Sequence, residues 1–377
     1  MSKPLNILYP TGSFYPAQTG GPDNTMYWIT KALTRRGHRP VISTTDRGQP
    51  ATTPVGEWLE TDYGQAIYTR NAVHYLPVQV VRRALGRLRE VDALHLAMIT
   101  YPASFLMAIL NSWSYGKPML WSTRGDLDPP MLARSPLKKR FVLWLIKRLV
   151  RRDKLWFHST CAAETAYIRD NFGADARIIE IVNYMELPAP AEVATERYLL
   201  FIGRIDPKKG IDKLLTALQH SESFRHSDFT LRVVGDHDNP YGRSLVEQVE
   251  RAGLEDKVAF LGHRGGKEKQ ELLAGAWFTL MPSITENHGI VVMESLAQGT
   301  PAVASTGTPW QILDRLDAGY WVANDPKTLR STVEEIIELP EERMRELRRN
   351  ALHVAQTEYN IFEKVSEWET AYRTILS

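Results

Sequence analysis

The 377-residue chain holds one cysteine, Cys161, so it can form neither a disulfide within itself nor a cysteine-rich metal site, which fits a reducing, cytoplasmic setting. No apolar run reaches membrane-spanning length. The opening MSKPLNILYPTG has no apolar segment behind a basic start, so neither a span nor secretion is expected. A large excess of either charge is missing as well. A formal net charge of +2 argues against a general nucleic-acid binder, yet leaves room for a local anion site. No Gly-x-Gly-x-x-Gly follows the first apolar run and no Gly-x-Ser-x-Gly occurs, which removes the usual nicotinamide and hydrolase signatures. Short tandem repeats and low-complexity segments are missing too.

What is present is globular: 43% hydrophobic and 24% charged residues, in a chain long enough for two domains. Short apolar runs alternate with helical patterns: LNILYP (5–10), a helix over 22–37, PVIST (40–44), ALHLA (93–97), PMLWST (118–123), KLWFHST (154–160) and IIEIVN (178–183). MELPAPAEVATE (185–196) has no apolar period and reads as a linker. The alternation restarts with RYLLFIG (197–203), TLRVVG (230–235), KVAFLG (257–262), WFTLMP (277–282) and PAVAS (301–305). Strand alternating with helix predicts parallel sheets covered on both faces, hence an α/β chain of two doubly wound, Rossmann-like domains facing a cleft.

Ligands of such folds sit beyond the carboxyl ends of the strands. FIGRIDPKKG (201–210) ends a strand and presents Arg204 and Lys209 before Gly210. Two cations at a strand-to-helix turn suit a phosphate, and a solvated loop with a basic helix start would look the same. In PSITENHGIVVMESLAQGTP (282–301), a helix opening at Gly289 aims the N–H groups of Gly289, Ile290 and Val291 at whatever the loop faces. Glu286 precedes that start and Glu294 lies inside the helix, so the pair could accept hydrogen bonds from hydroxyls on either side of a bound phosphate. A capping acid plus a surface charge is the plainer alternative.

Taken together, these motifs resemble the retaining glycosyltransferases of family four, with the GT-B fold. In that family a Gly-Arg followed by Lys-Gly binds the donor diphosphate, and two glutamates with seven residues between them bind the donor's sugar and ribose; here the matching positions are Arg204, Lys209, Glu286 and Glu294. The resemblance extends over nearly the whole chain. Gly20 and Gly21 match the glycine loop after the first strand, VVGDHDN, VAFLGH and the GTPW beginning at Gly307 recur in order, and His263 and Arg264 fall among the donor-binding positions. Three positions depart from the pattern. Asn287 and His288 stand where a glycine and an aromatic are common, so His288 either contacts the donor sugar or packs. Arg124, in STRGDLDPP, replaces a histidine that touches the sugar, so it either pairs with Asp126 or holds an anionic group on donor or acceptor.

The resemblance implies domains at 1–186 (acceptor side, completed by a C-terminal helix over 361–377) and 187–360 (nucleotide-sugar donor side). It also implies front-face transfer in which the leaving phosphate helps to take the acceptor's proton, with Arg204, Lys209 and Glu286 at the reacting centre. Cleavage leaves negative charge on the diphosphate, which the two cations and the helix start can stabilise without a metal or other cofactor. The Asp-x-Asp strings at 126–128 and 236–238 are expected to be loop ends, since hard cations need more oxygen ligands. The expected partners are a nucleotide-sugar donor and a glycan or lipid-linked acceptor, as in lipopolysaccharide or exopolysaccharide synthesis; a nucleotide-sugar epimerase or hydrolase and a non-catalytic sugar-nucleotide binder are the alternatives. RSPLKKRFVLWLIKRLVRR (134–152) is basic and amphipathic. It is either an ordinary helix with a core face or a patch for the anionic inner-membrane surface, which would make the chain peripheral there.

Overall fold

In the computed structural model, which describes residues 3–17, 21–71, 73 and 76–377, the apolar runs become two sheets in two compact units, residues 1–186 with 361–377, and 187–360. The first sheet has eight strands: β1 (Asn6–Pro10), β2 (Arg39–Thr45), β3 (Trp58–Thr61), β4 (Gly64–Thr69), β5 (Ala93–Ala97), β6 (Met119–Ser122), β7 (Leu155–Ser159) and β8 (Ile178–Glu180). Their order is β3-β4-β2-β1-β5-β6-β7-β8, parallel throughout except for the β3–β4 hairpin. That hairpin was not expected: WLET and GQAIYT offer no unbroken apolar run, and the edge strand β3 is only partly buried.

Side chains alternate between two buried faces. Ile7 and Tyr9 of β1 join one apolar cluster, whereas Leu8 joins the other with Leu94, Leu96, Trp121 and Phe157. The C-terminal helix Ile361–Leu376 covers the Tyr9 face with Val365, Trp368, Tyr372 and Ile375, and its first residue donates its N–H to Met185 O at 3.0 Å. On the same face β5, β6 and β7 place His95, Ser122 and His158, all fully buried.

These polar groups form one directed chain. His158 Nε2 lies 2.9 Å from Ile181 O, which can only accept, so the ring's Nδ1 accepts from Ser122 Oγ at 2.7 Å. Ser122 then accepts from His95 Nε2, His95 Nδ1 accepts from Tyr372, and Tyr372 accepts from Tyr9, each at 2.7 Å. The ordering requires neutral rings. Burial lowers His158 to about 3, with the Arg124 charge adding to the effect, and lowers His95 well below its ordinary value.

The second unit holds β9 (Tyr198–Ile202), β10 (Thr230–Val234), β11 (Val258–Gly262), β12 (Phe278–Met281), β13 (Ala302–Ser305) and β14 (Gly319–Val322). The order is β11-β10-β9-β12-β13-β14, all parallel. Its central strands β9 and β12 are buried end to end, as two covered faces require, and the sequence had already marked both. Residues 186–197 form neither helix nor strand.

Candidate active site

Two loops at the carboxyl ends of β9 and β12 are tied together in the second unit. After β9, Asp206 accepts from the N–H of Lys208 at 2.9 Å and caps a single 3-10 turn over Pro207–Lys209. Gly210 follows in the left-handed region at φ 66°, where a Cβ would strike the carbonyl oxygen of Pro282, and it starts the helix Ile211–Gln219. The close approach lets Ile284 donate its N–H to Lys208 O at 2.8 Å. It also brings Lys209 Nζ to Glu286 Oε1 at 2.5 Å, with Ser283 Oγ donating to the same oxygen at 3.2 Å. Arg204 stands apart: it is 79% exposed, and its partner is Asp206 at 3.8 Å. Its guanidinium is therefore presented to solvent rather than spent on a bond.

Gly289, at φ 83°, caps the helix Ile290–Ala297; a Cβ there would strike Met281 Sδ. The amides that begin this helix follow directly on the Glu286 loop, and Glu294 lies just over one turn inside. Glu294 is not a solitary carboxylate. Lys269, from the helix Gly266–Gly275, meets both of its oxygens at 2.6 Å. Neither Lys269 nor Ser283 was foreseen. Lys269 sits in an ordinary charged helix start, and nothing local links it to a residue 25 positions away. His263 is exposed in the preceding loop, and Arg264 is held there by Glu268 at 2.6 Å and by its donation to His263 O at 2.9 Å. Asn287 is partly buried. His288 packs: it is 4% exposed, its ring lies 5.0 Å from Trp310 and 6.0 Å from Tyr359, and its carbonyl accepts from Trp310 Nε1.

In the first unit, Arg124 follows β6 in the left-handed region at φ 53°. Its Nη1 donates to Asn183 Oδ1 at 2.5 Å and its Nη2 faces Met26 Sδ at 3.7 Å, both neutral partners, and burial lowers its pKa to about 10. The Arg124–Asp126 pair is not formed. Asp126 instead accepts from the N–H and Oγ1 of Thr100, each at 2.7 Å, and has Lys139 at 3.7 Å. Of the other Asp-x-Asp string, Asp236 accepts from the N–H of Asp238, which pairs with Arg243 at 2.9 Å. Gly21 opens the helix Gly21–Arg35, while Gly20 lies outside the described residues.

A family model described as glycosyl transferases group 1 matches residues 186–354, and one described as a glycosyl transferase 4-like domain matches residues 20–184. The O-antigen chain mannosyltransferase RfbU of Salmonella typhimurium is 27% identical over 222 residues, covering 57% of this chain and 60% of that protein. A D-inositol 3-phosphate glycosyltransferase of Frankia alni is 28% identical over 211 residues, 50% of this chain and 51% of that one. An uncharacterized glycosyltransferase of Methanocaldococcus jannaschii is 31% identical over 144 residues, 38% and 36% of the two chains. The chain thus spans less than two thirds of each of these relatives. Among solved structures, sucrose-phosphate synthase from Thermosynechococcus elongatus matches with a TM-score of 0.76 at 18% identity over 99% of both chains. HepE of Anabaena in complex with UDP-glucose matches with a TM-score of 0.73 at 18% identity, over 97% of this chain and 100% of that one. At such identities the likeness establishes the fold, which is GT-B.

Proposed function

The chain belongs to the glycosyltransferases that join a 4-like domain to a group 1 domain, and from that membership we propose that it transfers a sugar from a nucleotide-diphosphate sugar to a glycan or lipid-linked acceptor, retaining the donor's anomeric configuration. The observation that carries this reading is the loop juncture of the second unit, where Lys209 and Glu286 meet at 2.5 Å ahead of the Gly289-capped helix.

The chemistry follows from charge. As the bond from the anomeric carbon to the diphosphate lengthens, negative charge grows on the phosphate oxygens. The exposed Arg204, Lys209 and the amides from Gly289 to Val291 stabilise it from fixed positions, so the step calls for no metal. Glu286 holds Lys209 in place before the donor arrives and then takes sugar hydroxyls, while Glu294, oriented by Lys269, takes the ribose hydroxyls. His263, Arg264 and Asn287 border the donor. His288 contributes through its backbone, because its ring is packed away. On the acceptor side, Arg124 hydrogen-bonds neutral groups alone among the described residues. Glu164 helps to keep it charged and no ion pair among those residues commits it, so it can meet an anionic group of donor or acceptor.

The test is incubation with a panel of nucleotide sugars, with and without glycan or lipid-linked acceptors and with and without a strong chelator, followed by proton NMR of the product. Acceptor-dependent product with the donor's anomeric configuration, unaffected by chelation, is expected. Turnover without acceptor would make the chain an epimerase or hydrolase, binding without turnover would make it a sensor, and an inverted centre would overturn retention.

A further inference from the structure

The helix Pro136–Leu149 meets the rest of the first unit on one side, through the buried Leu143 and Ile146. Its other side is also apolar. Leu137 is 80% exposed and Phe141 and Trp144 are each 58% exposed, at a spacing that places all three on one helical face. The Phe141 and Trp144 rings stack with centroids 6.0 Å apart. At the carboxyl end of the helix, Trp113 is 73% exposed and anchored by its Nε1 donating to Leu149 O at 3.0 Å. Large apolar side chains grouped in water mark a surface that meets something.

Charge identifies what it meets. Residues 134–152 contain no acid. Lys139, Arg151 and Arg152 are turned to local acids, Asp126, Asp153 and Asp175. By contrast Lys138, Arg140, Lys147 and Arg148 are exposed and make no ion pair among the described residues, although Lys147 lies over the Phe172 ring at 5.8 Å. Aromatic rings on one face flanked by cations without acidic partners suit the headgroup level of an anionic bilayer: the rings enter the interface while the cations face lipid phosphates. A second copy of the chain is a poor occupant, since facing copies would set these cations against one another. No helix among the described residues is long and apolar enough to cross a membrane, so contact would lie in the plane of the surface. We propose that this face of the first unit docks on an anionic lipid bilayer.

The test uses the full chain with vesicles of phosphatidylcholine, with or without phosphatidylglycerol, at low and high salt. Binding to the anionic vesicles that weakens as salt rises is expected. The double substitution Phe141→Ser and Trp144→Ser should lower partitioning by about tenfold or more at both salt concentrations. Replacing Lys138, Arg140, Lys147 and Arg148 with glutamine should lower binding to anionic vesicles by about a hundredfold and abolish the preference for them. All six side chains are exposed, so both variants should melt like the parent, and a variant that does not is replaced by Trp144→Ser alone. Vesicle binding unchanged in both variants, or absent in the parent, overturns the proposal. So does a parent dimer that the aromatic substitutions dissociate without any vesicle binding. The vesicles carry no sugar donor, so either failure leaves the transferase reading where it stands.

Discussion

Lys209 and Lys269 each hold one of the two glutamates that the sequence singles out, and the two contacts predict different consequences. Removing the charge that meets the leaving diphosphate should slow the chemical step: Lys209→Ala and Arg204→Ala are each expected to lower kcat about a hundredfold, the usual loss for one preorganised stabiliser. Steady-state rates near the parent's in both would remove these residues from the centre. Lys269 acts one step away, so Lys269→Met should raise the donor KM about tenfold or less with kcat unchanged, and Lys269→Arg should restore it. A fall in kcat alone would show that the lysine touches the reacting groups. The glutamates were legible because their spacing around a helix start is local. Lys269 and Ser283 were not, because their contacts join separate elements or fill a geometry that only the folded loop creates.

The paired histidines lead to a pH prediction at the same scale. His158 is held at about 3 and His95 well below 6.5, chiefly by burial, so the folded state binds fewer protons than the unfolded one throughout that interval. Stability from these groups is whole above about pH 6.5, where unfolded histidine is neutral, and is lost as pH falls from there toward 3. The melting temperature followed by near-UV circular dichroism should drop across that window, and His158→Asn should make the drop shallower. A variant that loses stability as steeply as the parent would remove the imidazole from the account.

Among elements, the helix start at Gly289 has the tightest steric requirement. Its φ of 83° and the sulfur of Met281 beneath it both oppose a side chain. Gly289→Ala is therefore expected to cost about 1–3 kcal/mol in urea unfolding and to weaken donor binding, since the first amides would turn. Equal stability would mean that the loop can relax without strain. The central strands were easy to read because a sheet covered on both faces demands unbroken apolar runs, as in RYLLFIG. The edge strands β3 and β14 escaped, because four residues each, only partly buried, are too few to carry a readable period. The helix Pro136–Leu149 was legible as amphipathic, but its sequence alone left open whether an apolar face remains outside.

For the whole molecule, the first unit is built from two stretches far apart in the chain, and the final helix completes its core. Trp368 and Tyr372 are buried against the Tyr9 face, and Tyr372 occupies the middle of the polar chain between Tyr9 and His95. Tyr372→Phe removes a donor and an acceptor at once and leaves His95 Nδ1 and the Tyr9 hydroxyl without a partner, so about 1–3 kcal/mol of destabilisation is expected. Calorimetry should show it in the transition of the first unit, with the second unaffected. A shift in both transitions would mean that the two units unfold together.

The last helix also has a meaning in time. A ribosome releases residues in order, and domains commonly fold as they emerge. Here the 187–360 unit is complete while residues 361–377, which the earlier unit needs, are still unmade. The unit begun first is thus finished last. Throughout that interval a nascent chain exposes the Tyr9 and His95 face, which makes the synthesis of residues 187–377 the period in which the first unit most needs a chaperone.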